Sequence, residues 1–519
     1  MRGPRWRSPA EELLRRGAEL PAALRHGTAT YFSDLAAPRG DRHVRVCTGT
    51  ACFIASRGDP LTAVERSLGV RAGRCAPDGS VSLQAVHCLG HCYGGPAALD
   101  GDRPRAGSDL PEQLAGLAPG RAPVVPVREQ GGAGPVLLRA RAPEDSWRSW
   151  RQVLADPGGA DRVLAEVSAA GLRGRGGAGF PTARKWEALR AGPDGGPRYV
   201  VANGDEGDPG SFADRWLMEE RPGLVLEGLA LAALACGASS GVVYVRSEYP
   251  AARAALLREV ESARRAGHLG TDVHGSGVDL EIDVVAGHGS YVAGEETSLL
   301  AAVSGLRGSV HVRPPYPTEH GLLGLPTAVN NVETLAVVPD IVARGGAAYA
   351  ELGTGTETGS ELVSLNERFV RPGLHEVELG TPLRTVVEDL GGGLRPGSTL
   401  RALQVGGPLG GFIGPDRLDV PLTEGDLRAA GAALGHAGVV AVDDGVTRQQ
   451  LLAHLWRFAA SESCGACTPC REGTAVGAAD PGGASGDEGL LGVLERSSLC
   501  AFGRGLPAAV RSLMALEPW

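Results

Sequence analysis

The sequence predicts a multidomain α/β chain, and three observations carry that expectation. At 519 residues the chain exceeds one ordinary domain, so three or four are expected. Between about Ser146 and Ala350, helical patterns alternate with short apolar runs, RYVVANGD, GVVYVRSE and LEIDVVAG, as in a sheet covered by helices. Apolar residues make up 43% of the chain, enough to fill several cores.

Each element follows in order. Residues 9–36 have a helical pattern, and VRVCTGTACF then opens with strand-like alternation. Strand and helix patterns continue to about Leu99. Residues 101–135 are rich in Pro, Gly and Arg, a linker-like composition. Beyond the α/β stretch, residues 360–445 read as short strands and turns, with VRPGLHEVELGT as a hairpin or small β-grasp unit. From Arg448 onward the pattern returns to helices, and the chain shows no internal repeat.

The composition narrows the function. Glycine numbers 78, without a collagen-like period. Lys, Asn, Ile and Met are scarce while Ala, Gly and Arg abound, which reads as the mutational bias of a GC-rich genome. Such a bias makes a nearly vanished residue type informative, because it marks positions where the common substitute fails. A formal charge of −9 argues against nucleic-acid binding. The charged start MRGPRWRSPAEELLRR does not read as a secretory leader. The best apolar stretch, GLVLEGLALAALACGASSGVVYV, carries Glu227 and a Gly/Ser break, so it reads as a buried helix and a strand rather than a membrane span. A cytoplasmic chain without direct membrane insertion is expected. There, ten cysteines suggest metal or redox chemistry before disulfides.

Eight of those cysteines form two groups. Cys47-x4-Cys52 is followed by Cys88-x3-Cys92, and Cys464-x2-Cys467-x2-Cys470 is followed by Cys500. Cys75 and Cys236 stand alone and read as unliganded. Four thiolates at short spacing suit zinc or iron–sulfur clusters on ligand type alone. The C-x4-C step resembles a plant-type [2Fe–2S] start, and C-x2-C-x2-C resembles three corners of a [4Fe–4S] site. His87 and His91 flank the second pair, as a Rieske-type set would, but four cysteines already suffice.

The stretch GLRGRGGAGFPTARKW contains G-x-G-x-x-G at Gly174, Gly176 and Gly179. A dinucleotide fingerprint needs a strand before it and a helix opening at its end. Here a helical pattern, DRVLAEVSAAGL, precedes the glycines, so the ordinary fingerprint is not expected. Such a loop can still bring backbone N–H groups close to a phosphate or a flavin, or it can be merely flexible. Lys185, in the same stretch, is the only lysine in the chain. A compact ammonium fits a crowded anion site that a planar guanidinium does not. Asparagine occurs four times: Asn203 in VVANGDEGDPGSFADR, Asn330 and Asn331 in PTAVNNVET, and Asn366. The first three lie at the ends of apolar runs, where α/β proteins bind ligands. GHGSYVAGEETSLL adds the paired acids Glu295 and Glu296, which by themselves read as a solvated helix start. VRPPYPTEHGLLGLP adds Arg313 and Tyr316.

Together, GLRGRGGAGFPTARKW, NGDEGDPGSFADR, GSYVAGEETSLL, PTAVNNVET and SCGACTPCREGT resemble the NADH-binding flavoprotein subunit of complex I and its relatives, over roughly Ser146 to Trp519. VCTGTAC and HCLGHC resemble the thioredoxin-like [2Fe–2S] subunit that partners it, over about Pro9 to Leu99. The chain looks like a fusion of the two, as in diaphorase modules of NAD-linked formate dehydrogenases and NAD-reducing hydrogenases. The resemblance implies an N-terminal helical segment over 1–43, a thioredoxin-like ferredoxin domain over 44–125 and a linker over 126–145. It further implies a Rossmann-like FMN and NADH domain over 146–355, a ubiquitin-like β-grasp (SLBB) domain over 356–445 and a C-terminal helical bundle with an iron–sulfur cluster over 446–519.

The same resemblance implies an FMN site on Gly174, Arg175, Gly176, Gly177, Ala178, Gly179, Lys185, Asn203, Asp205, Glu206, Gly294, Glu295 and Glu296, completed by Asn330, Asn331 and Thr334. NAD(H) is expected beside Phe180, Asp208 and Glu296, with Tyr316 on the adenine and Arg313 next to it. Acidic Asp208 and Glu296 would disfavour a 2′-phosphate. Cys47, Cys52, Cys88 and Cys92 would hold a [2Fe–2S] cluster, and Cys464, Cys467, Cys470 and Cys500 a [4Fe–4S] cluster. The implied reaction is hydride exchange between NAD(H) and FMN with single-electron transfer through the clusters, and it requires no catalytic side chain. The implied partners are the catalytic subunit of a formate dehydrogenase, a hydrogenase or the complex I peripheral arm, and an iron–sulfur electron-transfer subunit. The motif DEGDPGSF, in place of the DESEP usual in complex I, favours the soluble complexes. Ala188 stands where the family often has an aromatic, and the Cys470–Cys500 gap is short for the family. The competing readings are a subunit of complex I itself, a scaffold that has lost flavin, and a zinc-stabilised interaction protein.

Overall fold

The computed structural model describes residues 21–128, 136–139, 145–192 and 196–519. The first part of the helical pattern at 9–36, and most of the linker expected at 126–145, lie outside the described residues. The chain divides into two compact units. One comprises residues 1–35, 139–205 and 214–359, the other 36–138, 206–213 and 360–519.

The first unit is built on a four-stranded sheet with the order Thr327–Asn331, Tyr199–Gly204, Ser240–Val245, Glu281–Ala286. All neighbours are parallel. The central strands are buried along their length, which is why they read as unbroken apolar runs rather than alternating ones. The stretch 222–245 forms a buried helix, Pro222–Cys236, and the strand Ser240–Val245, as its Glu227 and Gly/Ser break imply. Helix Pro250–Arg265 buries Ala252, Ala255, Leu256, Val260 and Ala263, one face at helical spacing, and leaves its arginines to solvent. Gly228 is required where Pro222–Cys236 crosses helix Val332–Arg344, since a Cβ there would sit 1.9 Å from the Leu335 carbonyl oxygen. No described helix is long and apolar enough to cross a membrane.

The strand order places the last strand beside the first, on the side opposite Ser240–Val245, so the winding of the sheet reverses between Tyr199–Gly204 and Thr327–Asn331 while the strands stay parallel. The carboxyl ends of these two strands carry Asn203 and Asn330–Asn331, with Asn331 in register with Asn203. Ligands of open parallel sheets bind at such switch points.

The second unit holds two sheets. A five-stranded sheet runs Arg74–Cys75, Val81–Val86, Arg42–Cys47, Ala97–Asp100, Arg103–Ala106, with the pair Arg42–Cys47 and Val81–Val86 parallel. Its last strand and helix Leu110–Ala115 occupy residues whose Pro/Gly/Arg content suggests a linker. Strand Arg103–Ala106 instead pairs with Ala97–Asp100, and Leu110 and Leu114 are buried in the core, so pairing and burial override local composition.

The six-stranded mixed sheet runs Phe412–Ile413, Ala402–Val405, Gly438–Val442, Ser360–Leu365, Gly373–Glu378, Val127–Arg128. Ser360–Leu365 and Gly373–Glu378 form an antiparallel hairpin, so VRPGLHEVELGT supplies one strand of a hairpin rather than a whole one. Leu365, Phe369, Leu383, Leu403 and Val439 fill its core. The C-terminal region is helical: Arg448–Glu462, Thr468–Ala479, Pro481–Gly486, Glu488–Ser497 and Ala501–Met514. The first of these opens on a full capping box, Thr447 with Gln450.

Candidate functional site

In the first unit the glycine loop stands between two helices, Gly159–Ala169 and Thr182–Arg190. It closes on itself: the Gly174 N–H donates to the Phe180 carbonyl at 3.0 Å, and Thr182 N–H to Leu172 at 2.9 Å. Gly177 and Gly179 have φ of +92° and +58°, a left-handed backbone that a side chain would strain. The tip, Gly176 to Ala178, is exposed, whereas Arg175 is buried and anchors the loop. The Arg175 N–H donates to Thr334 Oγ1 at 2.8 Å, and its guanidinium to Tyr349 Oη and the Thr358 carbonyl. The helix-preceded context therefore holds, and the loop is pinned rather than slack.

Lys185 lies one turn into the following helix. Its Nζ donates to the Val329 carbonyl at 2.7 Å, on the strand that ends in the asparagine pair, and lies 3.6 Å from Glu296. Trp186, fully buried, donates Nε1–H to Asn330 Oδ1 at 3.2 Å. Asn203 donates to the Gly294 carbonyl at 2.8 Å and accepts from the Asp205 N–H. Asn331 caps helix Val332–Arg344 through the Thr334 N–H and donates to Asp214. The three asparagines thus tie the glycine loop, the acidic motif and the Gly294 turn to one sheet edge.

The paired acids divide their roles. Glu295 caps helix Glu296–Val303, accepting from the Thr297 and Ser298 N–H groups, so the helix-start reading holds for it. Glu296 lies between two cations, Lys185 and Arg313. Phe180 and Tyr316 are about half exposed, at 49% and 54%, and leave ring surface open. Asp205 lies 3.6 Å from Arg246, which also binds Glu248.

Glu206 and Asp208 belong to the second unit. There Glu206 is fully buried and accepts from Ser211 Oγ at 2.6 Å, and Asp208 lies 3.9 Å from His436 Nδ1. Trp186, Asp214 and Arg246 escaped the sequence reading, although Asp214 lies inside the NGDEGDPGSFADR motif. Their signal is pairwise and long-range: each is defined by a partner 41 to 144 residues away.

The two cysteine groups each assemble within the second unit. Cys88 and Cys92 have sulfurs 4.0 Å apart, and Cys47 adjoins both Cys52 and Cys88. Hydrogen bonding between neighbouring thiols, with burial, holds Cys47 and Cys92 well above the usual thiol range. Around Cys470 lie Cys464, Cys467 and Cys500, and burial pushes its thiol up to about 12. Ten free cysteines and no disulfide are present among the described residues. Four thiols gathered together, all buried in the first set and all but half-buried Cys467 in the second, are a donor set that a multiply charged metal centre would stabilise as thiolates, so each fits a four-cysteine cluster. The flavin-unit residues fit a polar aromatic ligand as well. Asn330 Nδ2 is a buried donor with no protein acceptor among the described residues, at the strand end beside the loop.

Three stretches of the chain match known family models. Residues 167–340 match the Nuo51 FMN-binding domain, residues 10–106 the thioredoxin-like [2Fe–2S] ferredoxin, and residues 450–516 the NADH-ubiquinone oxidoreductase-F iron–sulfur binding region. Fold and site therefore define an oxidoreductase subunit with an FMN-binding domain and two iron–sulfur regions.

The chain is 38% identical over 364 residues to the F 2 subunit of NADH-quinone oxidoreductase of Rhizobium meliloti (strain 1021), spanning 68% of this chain and 86% of that protein. It is 37% identical to the HndC subunit of the NADP-reducing hydrogenase of Solidesulfovibrio fructosivorans, spanning 68% of this chain and 74% of that one. The chain belongs to the family of NADH-quinone oxidoreductase F subunits. Among solved structures, a chain of an NAD+-reducing [NiFe]-hydrogenase in the H2-reduced state superposes with a TM-score of 0.82 at 29% identity, covering 98% of this chain and 88% of that one.

Proposed function

We propose that this chain is the NADH:acceptor oxidoreductase (diaphorase) subunit of a soluble NAD-linked hydrogenase or formate dehydrogenase complex. One observation carries the reading. The hydrogenase chain covers 98% of this protein, including the thioredoxin-like [2Fe–2S] domain, whereas the Rhizobium meliloti relative covers 68%. A fused ferredoxin domain thus accompanies the flavin unit on one chain. A complex I subunit is the second reading, favoured by the NADH-quinone oxidoreductase relatives themselves. The partners are then a catalytic subunit and an iron–sulfur electron-transfer subunit.

Bound FMN would supply the chemistry, exchange of a hydride's electron pair for single electrons. The chain's residues bind and orient. The exposed loop amides of Gly176 to Ala178 and the Lys185 ammonium supply positive potential for flavin phosphate or ring charge. Asn203 and Asn330 offer amide groups at the sheet edge, and Asn330 Nδ2 is the donor still to be satisfied. The open faces of Phe180 and Tyr316 suit nicotinamide and adenine stacking, with Arg313 and Glu296 at the ribose side. Cys47, Cys52, Cys88 and Cys92 hold the [2Fe–2S] cluster, and Cys464, Cys467, Cys470 and Cys500 the [4Fe–4S] cluster. In this reading residues 356–445 are a β-grasp (SLBB) domain and 446–519 the cluster-bearing helical bundle, supported by the mixed sheet and the helices found there.

The purified chain is expected to show a flavin and iron–sulfur spectrum and to reduce ferricyanide with NADH. Cys500→Ser should abolish the [4Fe–4S] EPR signal and leave NADH-dependent flavin reduction intact. A colourless protein containing zinc and no flavin would sink the reading.

A further inference from the structure

The thioredoxin-like domain and the C-terminal helices lie in the same unit, and one helix joins them. Helix Arg448–Glu462 presents Gln450, His454, Phe458 and Ser461 at i, i+4, i+8 and i+11, a single stripe at helical period. Every position of that stripe meets the thioredoxin-like domain. A Cβ at Gly58 would lie 3.3 Å from Gln450 Nε2. His454 stacks on Phe53, with ring centroids 4.2 Å apart and planes 13° from parallel. Phe458 takes the edge of His87 at 5.1 Å. His87 Nε2 hydrogen-bonds Ser461 Oγ at 2.7 Å and lies 3.7 Å from Glu462.

The sequence neighbours of these residues give the contact its meaning. Phe53 follows Cys52, and His87 precedes Cys88. Ser461 and Glu462 stand three and two residues before Cys464. Phe458 also packs on Phe502, two residues past Cys500, with ring centroids 6.2 Å apart. His87 therefore stands between the residues beside one cysteine group and those beside the other. His454 is 8% exposed and its Nε2 has no acceptor among the described residues, so its imidazole serves here as a flat stacking surface.

We propose that His87 is a positioning residue that latches the Cys88–Cys92 loop onto helix Arg448–Glu462 and so fixes the geometry between the two cysteine sets. The latch acts through Ser461 and Phe458, not on any substrate. Its cluster-based readout rests on the functional reading above.

The test uses the full-length holo chain with His87→Ala, His87→Gln and Ser461→Ala. In the dithionite-reduced wild type, the [2Fe–2S] EPR signal is expected to relax faster through the nearby reduced [4Fe–4S] spin. His87→Ala and Ser461→Ala should lose that enhancement with iron and sulfide contents unchanged. His87→Gln, which keeps a donor near the Nε2 position, should restore it. Hydrogen–deuterium exchange gives a second readout that needs no cluster. Amides of 50–55 and 448–462 should exchange about tenfold faster in His87→Ala, the effect of one lost hydrogen bond, and return in His87→Gln. Wild-type relaxation and wild-type exchange in His87→Ala together would overturn the latch. A wild-type chain without iron would overturn the functional reading alone, and exchange would still decide the latch.

Discussion

Lys185 shows how much a single residue type can reveal. In a chain whose other 50 basic residues are arginine, its ammonium sits half-buried between the Val329 carbonyl and Glu296. A guanidinium is planar and larger, and presents its donors as a rigid fork rather than as one compact point charge. Lys185→Arg is expected to weaken FMN binding about tenfold, the worth of one well-placed polar contact, in a titration of flavin-free protein. Unchanged affinity would make the lysine's survival chance. Scarcity had a limit as a signal. Asn203, Asn330 and Asn331 meet at one sheet edge, but the fourth asparagine, Asn366, pairs with the Ala441 backbone and simply bridges strands. Composition marks positions where an amide is needed and does not say whether a ligand or a β-sheet needs it.

At the scale of elements, the hydrophobic runs made strands and helices legible because burial on both faces leaves no alternation to misread. What joins elements was not legible. Glu376 is buried in the mixed sheet and accepts from three successive backbone amides, Val136, Leu137 and Leu138, at 2.8, 2.9 and 2.9 Å, and from Ser360 Oγ. Nothing local in VRPGLHEVELGT announces a partner 238 to 240 residues away. Glu376→Gln should cost the second unit about 2–3 kcal/mol, because a neutral amide replaces a charged acceptor and turns one oxygen into a donor facing N–H groups. The readout is the urea midpoint of that unit's unfolding, and an unmoved midpoint would mean the nest is not stabilising. In residues 101–116 a linker-like composition folds as a strand in a tight hairpin with Ala97–Asp100, and as a helix whose Leu110 and Leu114 pack on the distant Val44, Val46 and Val64; only the second of these is a distance problem.

For the whole molecule, buried histidines set an acid limit. Burial lowers the pKa of His375 to about 4 and that of His454 to about 3. Both are neutral in the fold, so the unfolded chain binds more protons as pH drops below the ordinary histidine value of about 6.5. The contribution of these two groups should be full above that value and fall as pH moves toward 4, by roughly 1–3 kcal/mol for each histidine, while Glu367, raised to about 7 by burial, acts in the opposite sense. Thermal melts between pH 7 and 4.5 would check this. His375→Gln with His454→Gln should flatten the profile, and an unchanged slope would assign the acid sensitivity to other groups.

By itself the sequence determined the chemistry: which cysteines group, that the glycine loop is not a βα dinucleotide turn, and which motifs belong to a flavin and iron–sulfur oxidoreductase. The first two are properties of residue type and spacing, carried by neighbours in the chain, and the last rests on resemblance to a known family. Only the tertiary structure decided how the pieces share their work. It made Glu295 a helix cap and Glu296 the partner of two cations, and it placed Glu206 and Asp208 in a different unit from Asp205. It also set His87 against a helix that begins 361 residues later. Such contacts are fixed by packing between distant segments, and no local pattern encodes them.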